Sequence, residues 1–271
     1  MRISMAARCL LGILLAAGAF TGPAAATGGP AARLVIPVVA NKQGALGTFF
    51  RTDVTLTNHR DVDQTVAIRF YATGEFYYGD PKYEGVHFLP AKTTVTYLDI
   101  VATAFAGVST GNDALGTIVL EGLITGRAGG FDPDARLDAT YRIWTVQPGG
   151  TGTMSQSSTE LDMQSLPSGT TPRVVIGVRQ DENFRCNVGI FTSTYGDRNF
   201  LVTASSPRGS TSMNVRATGT TLTQVPLPPA NLGYITVTIQ PLDALDEDVW
   251  TAYASSVDNR SGDSWLQNAA P

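Results

Sequence analysis

The sequence predicts an all-β protein: two tandem, related antiparallel β-sandwiches of immunoglobulin-like type, preceded by a cleaved signal peptide. Three observations carry this expectation. Short runs of β-branched and aromatic residues alternate with polar ones at a period of two. Clusters of Asn, Asp, Gly and Pro separate those runs. The runs then recur in the same order later in the chain.

The N-terminus reads as a targeting segment. Arg2 and Arg8 precede the apolar run CLLGILLAAGAF (9–20), and TGPAAA (21–26) ends in an A-x-A site, which predicts cleavage after Ala26. The run is shorter than the roughly 20 residues a bilayer-spanning helix needs, and no later stretch approaches that length. Cys9 begins the run rather than ending it, so no lipid anchor is expected. The expected location is therefore secreted, periplasmic or cell-surface. Cleavage leaves Cys186 as the remaining cysteine, so no intramolecular disulfide can support the fold.

The repeat sets the domain boundaries. RLVIPV (33–38) matches RVVIGV (173–178), and FFRTDVTLTN (49–58) matches NFRCNVGIFT (183–192). VAIRF (66–70) matches FLVTA (200–204), and LGTIVLEG (115–122) matches LGYITVTI (232–239). IWTVQPGGTG, from Ile143, corresponds loosely to AYASSVDNRSGD, from Ala252. These place one sandwich at 33–164, a Pro- and Ser-rich linker, SLPSGTTP, at 165–172, and a second sandwich at 173–271. Along the first copy Phe50, Thr52, Val54 and Leu56 share a face, so Cys186, which replaces Thr52, is expected in the second core as a small buried hydrophobe. Helical periodicity is confined to Asp99–Phe105 (DIVATAF), which Asp99 can cap and Gly107 can end. The second copy has VPLPPA (225–230) there, and its prolines forbid a helix.

The chemistry of the sequence narrows function mainly by exclusion. The net charge is −4, with no basic run or stripe, which argues against nucleic acid and anionic membrane as partners. Two histidines and one mature cysteine give no zinc spacing, and no phosphate loop is present. GVSTG (107–111) satisfies G-x-S-x-G around Ser109. A nucleophile elbow, however, needs a strand before it, a helix after it and a histidine further on, and all three are missing. FDPDARLD brings Asp132, Asp134 and Asp138 together in sequence, a candidate oxygen set for calcium, the one cofactor the sequence suggests. Asp243, Asp246, Glu247 and Asp248 form a second acidic cluster. GEFYYGDPKYEG (74–85) carries Phe76, Tyr77, Tyr78, Asp80 and Tyr83. Rings beside polar groups suit sugar or peptide recognition, unless they pack over the end of the sandwich.

The segments IPVVANKQGALGTFFRTDVTLTN, IGVRQDENFRCNVGIFT and AYASSVDNRSGDSWLQNAAP resemble a group of exported bacterial β-proteins. That group carries RTDLxLxN, FRTNLGLVN and YASVVDNRTGDP motifs. This chain departs from the pattern at Cys186, usually threonine, and at Ser264, usually proline. The resemblance implies export and the duplicated architecture; it transfers no catalytic residue. The resulting expectation is a non-enzymatic exported binding or surface-structural protein, with a polysaccharide or another envelope protein as partner. The alternative is a carbohydrate-binding protein using the Phe76–Tyr83 loop. A hydrolase is the third reading, disfavoured because the usual acid–base and metal residues are missing.

Overall fold

The computed structural model describes residues 29–270 apart from 45–46, 75–79, 106–112, 126–129 and 148. The fold is an all-β antiparallel sandwich architecture. The first half contains β1 (Arg33–Gln43), β2 (Phe49–Asn58), β3 (Gln64–Ala72), β4 (Tyr83–Leu89), β5 (Thr94–Tyr97), α1 (Ile100–Thr103), β6 (Asp113–Leu123), β7 (Leu137–Val146), β8 (Thr153–Thr159) and β9 (Leu161–Asp162). The second contains β10 (Arg173–Gln180), β11 (Phe184–Thr192), β12 (Arg198–Ser206), β13 (Gly209–Ala217), β14 (Leu222–Pro226), β15 (Gly233–Pro241), β16 (Trp250–Asp258) and β17 (Ser264–Asn268).

The two halves share one strand order. Sheet A (β5-β2-β7-β8) lies over sheet B (β4-β3-β6-β1), and the two are joined where Lys42 and Gln43 pair with Phe50 and Phe49. Sheet D (β14-β11-β16-β17) and sheet C (β13-β12-β15-β10) repeat that order strand for strand. β9 adds to β1. Both first strands also bulge, β1 between Ile36 and Val39 and β10 between Val175 and Val178. Pro37, which has no N–H for a ladder, and Gly177, at φ +80°, sit in these bulges.

The inner faces show why one copy has a threonine where the other has a cysteine. Thr52 is fully buried: its Oγ1 accepts from the Ala40 N–H (2.8 Å) and donates to the Ala40 carbonyl (3.2 Å). In the second copy Ser256 makes this clamp, accepting from the Arg179 N–H (2.6 Å) and donating to the Arg179 carbonyl (3.1 Å). Thr52 lies opposite Ile143, and Cys186 lies opposite Ser256. The hydroxyl has moved across the strand pair and the apolar group has moved the other way. Cys186 is fully buried, and burial pushes its thiol up to about 12.

The halves meet face to face. Phe191, Leu222, Tyr253 and Leu266, on the outer side of sheet D, belong to one apolar cluster with Val38 and Tyr71 on the outer side of sheet B. The Tyr71 and Phe191 rings lie 5.7 Å apart. Tyr253 lies directly opposite Gly189 on the neighbouring strand, and a Cβ there would run into the tyrosine ring. At the edge, Asn268 Nδ2 donates to Ser158 Oγ and to the Thr159 carbonyl (both 3.3 Å). Residues 165–172 are tied to the second half. The Trp250 indole donates to the Gly169 carbonyl (2.7 Å), and Asp246 accepts from Ser168 (2.8 Å) and Thr170 (2.6 Å). The Arg173 guanidinium stacks 4.0 Å from the Trp250 ring, and burial lowers its pKa to about 10.

The helix is a single turn, and its start differs from expectation. Asp99 sits at φ +48° and makes no side-chain cap. Its carboxylate instead accepts from Asn41 Nδ2 (2.8 Å), a long-range bond that holds the turn against β1.

Candidate functional site

Several of the residues singled out from sequence are committed to structure, and others lie outside the described residues. Phe76, Tyr77 and Tyr78 lie outside the described residues, as does Ser109. Asp80 is exposed. Tyr83 is half-buried, stacked on Phe70 (6.0 Å, 8° between planes) and against Phe105 (5.7 Å), so this ring packs on the core. The three aspartates do not form an oxygen cage. Asp132 is held by Arg60 (2.6 Å) and accepts from the Asp134 N–H (3.0 Å), while Asp138 faces His59 (3.5 Å). Among the described residues no group of three or more His, Cys, Asp or Glu is placed to hold a metal, so the calcium expectation finds no ligand set. In the second acidic cluster Asp248 clamps Arg198 (2.5 and 3.0 Å) and Asp243 holds Asn199 (2.6 and 2.7 Å).

A large open feature lies where the two copies diverge. In the first half α1 closes the end of the sandwich against β1 and β2. Ile100, Val101, Ala104 and Phe105 are buried there, and Asp99 takes Asn41, approaches Arg51 (3.6 Å) and donates its N–H to Asp53 Oδ1 (3.0 Å). The equivalent connection in the second half runs through Pro226, Pro228 and Pro229 and forms no helix. A groove of about 620 Å³ remains, lined by Phe184, Arg185, Pro226, Leu227, Pro229 and Asn231. A second lobe of about 350 Å³ continues past Asp181 to Arg179, Arg208 and Tyr234. Counting along the matched segments, Asp181 stands where Asn41 stood and Arg185 where Arg51 stood.

Hydrogen bonds fix the walls of this groove. Gln180, almost fully buried, accepts from the Cys186 N–H (2.6 Å) and donates to the Pro228 carbonyl (3.3 Å), tying the proline segment to β11. Arg179 donates to Asp181 (2.5 Å). Burial works against the ionised Asp181 carboxyl, but Arg179 and the N–H groups of Asn183 and Phe184 outweigh it and hold the pKa below the usual range. The Arg179 guanidinium lies over Phe184 (4.3 Å) and faces Tyr234 (5.8 Å), while Phe184 meets Trp265 edge-on at 5.5 Å. Arg185 donates to Asn259 (2.9 Å). Arg208 and Tyr234 are left at the surface, Tyr234 with 68 % of its area exposed. Arg208 reaches Asn231 Oδ1 only at 3.5 Å. The arrangement offers a ring face, one lightly held guanidinium and several planar polar groups along a concave strip.

Two other features stand apart from the groove. A cleft of about 200 Å³ lies between the halves, lined by Val38, Phe50, Gln156, Gln224, Tyr253 and Leu266. Beside β8, Glu160 is pushed up to about 7, first by burial and then by its hydrogen bond to Asp138.

The prolines of VPLPPA exclude a helix on their own. The further step was available in the duplication itself: a helix present in one copy and forbidden in the other leaves a space. Tyr234 lacked any local signal, because it alternates with buried Ile235 as any strand residue would. No protein-family model and no curated protein matches the chain.

Proposed function

We propose that this chain is an exported, non-enzymatic binding protein whose ligand surface is the open end of the C-terminal sandwich. The carrying observation is the internal comparison: a space the first copy fills with its own helix is left as a pre-shaped, two-lobed groove in the second. Grooves of several hundred cubic ångströms with a few convergent polar groups are the usual form of small-ligand sites. The hydrogen bonds of Gln180 to Cys186 and to Pro228 support the reading, since they hold the proline segment that walls the groove. The Phe76–Tyr83 loop is the weaker candidate surface, because Tyr83 is stacked into the core.

Export rests on residues 1–26, and mass spectrometry of the secreted protein should give Thr27 as its first residue. The binding reading is tested by capture from the producer's own envelope and medium, wild type against Asn231→Trp, which puts an indole at the exposed rim. Loss of the captured ligand at an unchanged melting temperature is the expected result. Equal capture by both proteins would move the site elsewhere.

A further inference from the structure

We propose that the groove takes a carboxylated sugar chain, a polyuronate, with the Tyr234 ring as the stacking platform and Arg208 as the carboxylate partner. The inference rests on the groove being the binding surface and names what would occupy it.

Charge is the first argument. The two lobes carry Arg179, Arg185 and Arg208 against Asp181 and Glu182, a local surplus of one positive charge on a chain whose net charge is −4. Arg179 is neutralised by Asp181 at 2.5 Å, and Arg185 is directed to Asn259 at 2.9 Å. Among the described residues the Arg208 guanidinium makes only the 3.5 Å contact to Asn231, which leaves its fork available for a bidentate carboxylate.

The second argument is the ring face. Tyr234 is two-thirds exposed beside Arg208 in the same lobe, and the underlying Arg179 guanidinium faces its ring. A flat, supported aromatic next to a cation matches a pyranose ring that bears a carboxylate, and the apolar face of the sugar can lie on the tyrosine. The neighbouring lobe extends the strip over the Phe184 ring, with Asn231, Asn259 and Glu182 placed for hydroxyl groups of adjoining sugars.

An extended peptide added as a strand does not fit this wall. Strand addition needs main-chain donors along the receiving edge. Pro226, Pro228 and Pro229 have no N–H, and the Pro228 carbonyl is already taken by Gln180.

The test uses the whole exported chain and four probes: polygalacturonate, neutral dextran, poly-glutamate and inorganic polyphosphate. Polygalacturonate should bind, and binding should weaken as salt is raised. Arg208→Gln and Tyr234→Ala should each weaken it roughly tenfold, the scale of one charge-assisted hydrogen bond. Tyr195→Ala, a change at a tyrosine 82 % exposed and outside the groove lining, should leave it unchanged. Melting curves of all three variants should overlay the parent. Equal binding of poly-glutamate or polyphosphate would overturn the sugar assignment and leave a plain anion site. Binding of dextran that ignores Arg208→Gln would overturn the carboxylate assignment while keeping the groove as a binding surface. If no probe binds and Asn231→Trp leaves native capture intact, both the ligand class and the groove reading fail.

Discussion

Sheets A and D are the same four strands in the two copies, yet the outer face of one meets solvent and that of the other is buried. On sheet A, Thr96, Thr55, Thr140 and Thr159 form a rank across β5, β2, β7 and β8. Thr55 and Thr57 bond Thr96 and Thr94 across the strand pair, each at 3.0 Å. On sheet D the positions of Thr55 and Thr57 hold Gly189 and Phe191, and Tyr253 covers the glycine. The inner faces, by contrast, stay interchangeable. Divergence between the copies therefore tracks what each outer face touches, while the buried pleat preserves the repeat.

The comparison can be broken most sharply at Tyr253. Tyr253→Ala leaves a hole between the halves and should cost about 3–5 kcal/mol in chemical denaturation, as for other buried aromatics. A loss below about 1 kcal/mol would mean that the two halves do not rely on this face. Thr140→Ala, at the matching position of sheet A, should stay within about 0.5 kcal/mol of the parent.

The next effect concerns the exchanged hydroxyl. Cys186→Thr puts a second hydroxyl beside a backbone already clamped by Ser256, and an unpartnered buried hydroxyl should cost about 1–3 kcal/mol. Adding Ser256→Ile restores the pairing of the first copy and should recover much of that loss. A double-mutant cycle with no coupling would refute the exchange.

The third effect is a pH slope. Asp138 on sheet A stands where sheet D has Thr251, opposite Thr57 and Phe191 respectively. Its partner Glu160 has a folded pKa of about 7, above the ordinary 4.5, so the folded state holds the proton more tightly. Stability from this group is full below about pH 4.5 and is lost as pH rises towards about 7. Urea midpoints should fall across that window, and Glu160→Gln should flatten the fall. An unchanged slope in the variant would separate Glu160 from the titration. The smallest effect is expected for Thr57→Val on the exposed face, within about 0.5 kcal/mol either way.

Much of this organisation could be read from the chain. The period of two in FFRTDVTLTN marked a strand whose inner face is buried, and the matched RLVIPV and RVVIGV segments both contain the bulge. The last matched segment was out of step. By sequence Ile143 matches Ala252, whereas the strand registers make Ser256 its counterpart, four residues on. The slip has a physical origin. The outer residues of β7 are partly exposed and those of β16 are buried, so their identities no longer correspond. The role of Asp99 was also hidden, because its partner Asn41 is 58 residues away. The groove has no local sequence signal because a cavity is defined by groups that fail to meet, and Arg208 comes from the β12–β13 turn whereas Tyr234 comes from β15.

The contact between the halves has a further consequence. It joins the outer side of sheet B in the first copy to the outer side of sheet D, the counterpart of sheet A, in the second. Such a head-to-tail junction has no two-fold axis to close it, so an unmodified repeat unit would accept a third unit and then a fourth. The two unused faces prevent this. Sheet A presents its threonine rank, and sheet C presents Thr203, paired with Ser212 at 2.9 Å, beside Thr238. These polar faces do for a two-unit stack what capping repeats do for a solenoid. A chain in which Phe, Gly and Tyr replaced Thr57, Thr55 and Thr140 would carry an open end, and its hazard would be fibre growth rather than unfolding.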